Sequence, residues 1–89
     1  MTARVLIVAA VLAAGCANPL PEAGSEAAML YTRRCGGCHR LYRPELLTGP
    51  MWQAMVERMQ IEMRRRGMQL SSSDRDAILA YLERNAGGR

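Results

Sequence analysis

Cys35-Gly36-Gly37-Cys38-His39 is the stretch on which the reading of this chain turns. It spells C-x-x-C-H, the attachment signal for c-type haem. The spacing has a chemical reason. Two thiols three positions apart, near the start of a helical turn, can each add to one vinyl group of the same porphyrin. The next residue, His39, then sits under the iron and can offer it a ring nitrogen. Gly36 and Gly37 carry no side-chain bulk, so the backbone can lie close to the haem edge.

Three other readings of the motif compete. A C-x-x-C pair serves as a thioredoxin-like redox site in a βαβ context, but this chain has no alternating apolar runs to build strands. The pair could be half of a zinc site, yet structural zinc takes four ligands. His39 is the only histidine, and the remaining cysteine, Cys16, has its own explanation. Cys35 and Cys38 could also form a small disulfide with His39 adjacent by accident.

The N-terminus supplies context. Arg4 is a single positive charge, and residues 5–14 form an apolar run. Ten residues are too few to span a bilayer but suit the core of a signal peptide. Leu12-Ala13-Ala14-Gly15-Cys16 follows, with small residues ahead of a cysteine. It looks like a bacterial lipobox, with residues 1–15 as the signal peptide and Cys16 lipidated as the new N-terminus. The large aliphatic residue, Leu12, stands one place early. The rival is ordinary cleavage after Ala17. Lipidation accounts for a cysteine that would otherwise be a loose thiol, and the absence of an acidic residue at Ala17 favours inner-membrane retention. Either route exports the chain to the periplasmic side, where bacteria attach c-type haem.

What remains is one small domain. Residues 16–24 contain Pro and Gly without periodicity and read as a tether; residues 25–89 form the haem domain. Such a length buries little apolar surface alone and needs a staple. Covalent haem is one, and the absence of Phe is consistent with a porphyrin filling the core.

Three helices are expected, and the fold class is all-α. The first covers about 25–34, with Ser25 as N-cap and Ala27, Leu30 and Tyr31 as its apolar stripe. The second covers about 50–66, capped by Thr48, with Trp52, Met55, Val56, Met59 and Met63 on its buried face. The third covers about 73–85, with Ser73 and Asp76 as a capping box and Gly87 as its stop. Ile78, Leu79, Tyr81 and Leu82 are its apolar set.

Residues 27–86 resemble a small class I cytochrome c domain, three helices around one covalently attached haem c. Met29-Leu30-Tyr31-Thr32-Arg33-Arg34-Cys35 resembles the helix entering the haem site, and Asp74-Arg75-Asp76-Ala77-Ile78-Leu79-Ala80-Tyr81-Leu82 the helix that crosses it. Trp52 with Val56-Glu57-Arg58-Met59 is similar to a bacterial subgroup of short helical cytochrome c domains, in which W-x-x-x-V-x-x-M follows the haem motif. The resemblance implies that Cys35 and Cys38 hold the haem and that His39 is the proximal ligand. It also implies that a carbonyl in segment 41–44, Pro44 above all, takes the second ring N–H of His39.

With one histidine in the chain, bis-histidine ligation within it is excluded, and a thioether is the remaining soft donor. A methionine stripe at helical spacing is ordinarily core filler. Met59 is the first choice for the distal ligand, because the subgroup pattern places its methionine there. Met63 lies one turn along on the same face. Met68 lies in the loop where larger class I domains carry their ligand, although Gln69 rather than proline follows it.

All twelve basic residues are arginine, and the net charge is +4. Arg64-Arg65-Arg66 end the second helix, where cations suit the helix dipole. The run could also meet an acidic redox partner or haem propionates. Export removes nucleic acid from consideration. The leading expectation is a monohaem electron carrier, free or within a larger oxidoreductase complex, and not an enzyme, since no further catalytic side chains stand at recognisable spacing. The alternatives are a five-coordinate haem sensor and a non-haem disulfide lipoprotein.

Overall fold

The computed structural model describes residues 19–37 and 40–88. The leader, Cys16, Ala17, Cys38 and His39 lie outside the described residues. Those described fold as α1 (Glu26–Cys35), a 3-10 turn (Pro44–Leu46), α2 (Gly49–Arg65) and α3 (Ser72–Arg84), with no strand among them. None of these helices is long and apolar enough to cross a membrane.

Local chemistry sets the helix ends. Ser25 has extended backbone, and its Oγ accepts from the Ala28 N–H at 3.1 Å. Glu26 stands in the first turn of α1, and Arg33 and Arg34 in the last, each with the favourable sign for the dipole. Thr48 caps α2 by accepting from the Met51 N–H at 3.3 Å, and Pro50 occupies the first turn, where its missing N–H costs nothing. At the other end, Gly67 takes a left-handed φ of 75°. Its N–H reaches the Arg64 carbonyl at 3.1 Å, while the Met68 N–H reaches back to the Met63 carbonyl at 2.8 Å. This is a Schellman closure, and only glycine adopts the required φ cheaply.

The third helix differs from the sequence expectation at both ends. Ser71, not Ser73, is its cap, accepting from the Asp74 N–H at 3.1 Å. Asp76 instead pairs with Arg75 at 2.9 Å. The stop is Asn85, whose side-chain amide donates to the Tyr81 carbonyl at 3.0 Å. Gly87 serves the tail rather than the helix. Its N–H donates to the Leu47 carbonyl at 3.0 Å, and a Cβ there would lie 2.1 Å from the Glu45 carbonyl oxygen. The tail can cross the 3-10 turn only without a side chain. Gly87→Ala is therefore expected to lose about 1–3 kcal/mol of stability by overpacking against backbone. Gly24→Ala, where nothing lies within 4 Å of the added carbon, is the control and should stay within about 0.5 kcal/mol of the parent. Urea unfolding midpoints read the difference.

α3 packs on both α1 and α2. Between them Tyr31, Trp52, Val56, Ile78, Tyr81 and Leu82 are buried in one cluster. Tyr31 meets Trp52 edge-on with ring centres 6.2 Å apart, and Tyr81 at 5.7 Å. Each ring sends its polar tip to a loop carbonyl. The Tyr31 hydroxyl donates to Tyr42 at 2.6 Å, the Trp52 indole to Pro44 at 2.8 Å, and the Tyr81 hydroxyl to Pro21 at 2.9 Å. Three aromatic residues thus pin three irregular segments while filling the core. Burial pushes the Tyr31 and Tyr81 hydroxyls above the usual phenol range, so both stay protonated donors.

The α1 stripe is turned by one residue from expectation. Ala28, Tyr31 and Cys35 are buried, and Ala27 and Leu30 are only partly so. Described residues of the expected 16–24 tether also make tertiary contacts. Leu20 packs against the core, and the Glu22 carboxylate accepts from Arg84 at 2.9 and 3.0 Å and from the Asn85 amide. These bonds hold the Glu22 carboxyl below the usual carboxylate range.

Candidate functional site

A groove of about 250 Å³ runs between the end of α1 and one face of α2. Helical arithmetic explains its lining. Met55, Met59 and Met63 recur every four residues on α2 and form a thioether row; Arg58, Glu62 and Arg66 recur with the same step and form a charged row beside it. From α1 come Arg34 and Cys35. Met63 is buried, while Met55 and Met59 are half-buried.

Cys35 is the last residue of α1 and only 7% exposed. Burial pushes its thiol up to about 11, against the opposing pull of the Arg34 guanidinium. Burial thus favours the protonated thiol over the thiolate at neutral pH.

The structure thus brings Cys35, Met59 and Met63 to one groove and leaves Met68 out of it. Met68 is 38% exposed, and its backbone N–H is spent on closing α2. Cys38 and His39 lie outside the described residues, so the geometry of the second thiol and of the imidazole is not described. Three of the four carbonyls in segment 41–44 accept bonds within the described residues. Pro44 takes the Trp52 indole N–H, Tyr42 takes the Tyr31 hydroxyl, and Arg43 takes the Leu46 N–H at 3.1 Å.

Sequence reasoning missed the arginines. It singled out Arg64-Arg65-Arg66 as a run, but of these only Arg66 lines the groove. Arg65 pairs with Glu62 at 2.7 Å, and Arg64 faces a separate polar hollow with Arg34, Gln60, Gln69 and Asp74. Arg34 and Arg58 take the remaining rim positions. The four-residue step from Arg58 through Glu62 to Arg66 was the available signal. The contribution of Arg34 depends on how α1 crosses α2.

The lining fits a haem. The walls are thioether and thiol, suited to a flat apolar body, and the rim is cationic. Arg34 Nε is shielded from solvent without a hydrogen-bond partner. Comparison with known families gives the deciding observation: the model described as dihaem cytochrome c matches residues 31–89. The chain belongs to the dihaem cytochrome c family. It is therefore a c-type cytochrome domain, and the match spans the attachment motif, α2 and α3. No curated protein and no solved structure matches the chain. The match names the dihaem family rather than the class I domains that the residues resemble, and the 89 residues hold one C-x-x-C-H.

Proposed function

We propose that this dihaem-family cytochrome carries a single covalently attached haem c and passes single electrons between redox partner proteins. The carrying observation is the convergence of Cys35 with Met59 and Met63 on one groove. One attachment motif and one histidine within the chain support one haem. When bound, haem supplies one-electron exchange between ferrous and ferric iron. The residues do the rest. Cys35 and Cys38 hold the group, His39 gives the proximal nitrogen, and Met59 gives the distal sulfur, with Met63 next in line. The apolar lining keeps water from the site, and a thioether in place of a second imidazole raises the potential.

Export follows from Arg4, the apolar run 5–14 and the lipobox-like Cys16. In this reading the protein works on the periplasmic side, lipid-anchored through Cys16 and within reach of membrane oxidoreductases. It performs no bond chemistry of its own and is not an enzyme.

Two measurements test the reading. The intact mass of protein matured in an exporting bacterium should exceed that of the processed chain by one haem; an excess of two haems, or none, contradicts it. Met59→Ala should abolish the weak long-wavelength band of thioether-ligated ferric haem and let the ferrous iron bind carbon monoxide. Met63→Ala should keep the band. The reverse pattern moves the distal ligand to Met63, and retention in both variants removes the thioether from the iron.

A further inference from the structure

We propose that the face built from Pro19, Leu20, Ala23, Met29 and Arg33 seats on the lipid bilayer and fixes how the domain stands on the membrane. The inference rests on the reading of Cys16 as the lipidated residue and adds a second membrane contact to it.

Three observations carry it. The first is reach. Pro19 stands three residues after Cys16, so covalent geometry keeps it within about 11 Å of the anchor. The second is that the slack ends there. The Arg43 guanidinium donates to the Pro19 carbonyl at 3.2 Å, the Tyr81 hydroxyl donates to Pro21 at 2.9 Å, and Arg84 and Asn85 donate to the Glu22 carboxylate. Glu22 takes a left-handed φ of 55°, and its carbonyl accepts from the Ser25 N–H at 2.8 Å. A non-glycine residue keeps that φ only where its surroundings hold it. The segment from Pro19 to Ser25 is therefore strapped to the helices, and the face around Pro19 stays beside the anchor.

The third observation is the chemistry of that face. Pro19, Leu20 and Ala23 line one hollow with Met29, Thr32 and Arg33 of α1, and no carboxylate takes part. Met29 is 54% exposed, and Pro19, Ala23 and Arg33 are exposed as well. The Thr32 hydroxyl is already spent on the Ala28 carbonyl at 3.0 Å. Met29 and Pro19 can enter the acyl boundary while Arg33 lays its stem along the apolar wall and keeps its guanidinium among the headgroups. One cation among apolar side chains suits an anionic phospholipid, which offers charge and hydrocarbon side by side. This hollow shares no lining residue with the groove of Cys35, Met59 and Met63, so seating it leaves that groove unoccupied.

The test uses the exported, haem-loaded protein reconstituted in vesicles of phosphatidylcholine and phosphatidylglycerol. Nitroxide labels are placed through Met29→Cys and, as a second reading, Ala23→Cys, with Ile61→Cys as the reference; Ile61 is 41% exposed on α2. Electron paramagnetic resonance reads the access of each label to a water-soluble nickel complex and to oxygen. Docking predicts that the labels at 23 and 29 lose most of their nickel access and gain oxygen access, while the label at 61 keeps its nickel access. Arg33→Glu sets a negative charge against the headgroups and should restore nickel access at 29 with the anchor intact.

Labels at 23 and 29 as open to nickel as the label at 61 overturn the docking. Broadening of their spectra by a neighbouring label places a second copy on this face and overturns it too. Intact mass separates the two readings. A Cys16 without lipid overturns the anchor and the docking together; a lipidated Cys16 with open labels overturns the docking alone.

Discussion

Cys35→Ala/Cys38→Ala, produced with export and c-type haem maturation intact, is expected to contain no covalently bound haem. The parent should keep its haem through acid–acetone extraction and denaturing electrophoresis, and the double variant should lose all of it. The expectation combines the motif with the place of Cys35 in the fold. Cys35 ends α1, is buried, and lines the same groove as Met55, Met59 and Met63 of α2. Each single variant should keep one thioether and a shifted ferrous spectrum. Haem that resists extraction from the double variant would mean that the attachment lies elsewhere. The variant should also melt earlier, because an 89-residue chain is small for a self-sufficient core.

Trp52→Ala is expected to cause the largest loss of stability of any single substitution in the helical core. Trp52 is fully buried, meets Tyr31 edge-on, and gives its indole N–H to Pro44. Truncating a buried tryptophan costs about 3–5 kcal/mol, against a total of about 5–15 kcal/mol for a typical domain. For a domain of this size the melting temperature should fall by on the order of 20 °C. Trp52→Phe divides the effect. It keeps most of the ring and leaves the Pro44 carbonyl with only the long 3.4 Å contact from the Leu47 N–H. Its cost should be about 1–3 kcal/mol. Thermal unfolding followed by circular dichroism measures both. If the alanine variant melts within a few degrees of the parent, then Trp52 is not the centre of the core.

Much of this fold was legible from local chemistry. Ser25 and Thr48 announce the starts of α1 and α2 because a hydroxyl before an apolar-periodic stretch has one evident use. The start of α3 was ambiguous for the same reason. Ser71 with Asp74 and Ser73 with Asp76 both fit the three-residue spacing of a capping box, and only the observed cap distinguishes them. Gly87 looked like a helix stop because the sequence does not reveal that Glu45 passes beneath it.

The site was legible in part. The C-x-x-C-H motif and the methionine row on α2 follow from spacing alone. The exclusion of Met68 does not, since it comes from the backbone closure at Gly67. The Trp52 bond to the Pro44 carbonyl was not legible, because Trp52 lies eight residues away and reaches it only once α2 has packed. The arginine rim joins α1 to α2, and such a crossing cannot be counted along one helix. Absence of Phe suggested that a porphyrin fills the core; among the described residues Tyr31, Trp52 and Tyr81 supply aromatic bulk there.

The central claim is a low-spin haem held in the groove of Cys35, Met59 and Met63, with its iron closed to outside ligands. Its most direct test is the absorption spectrum of the matured protein, oxidised and then reduced, before and after carbon monoxide. Sharp c-type bands in the ferrous state that carbon monoxide leaves unchanged are the predicted result. Bands that shift with carbon monoxide, or no haem bands at all, would contradict it.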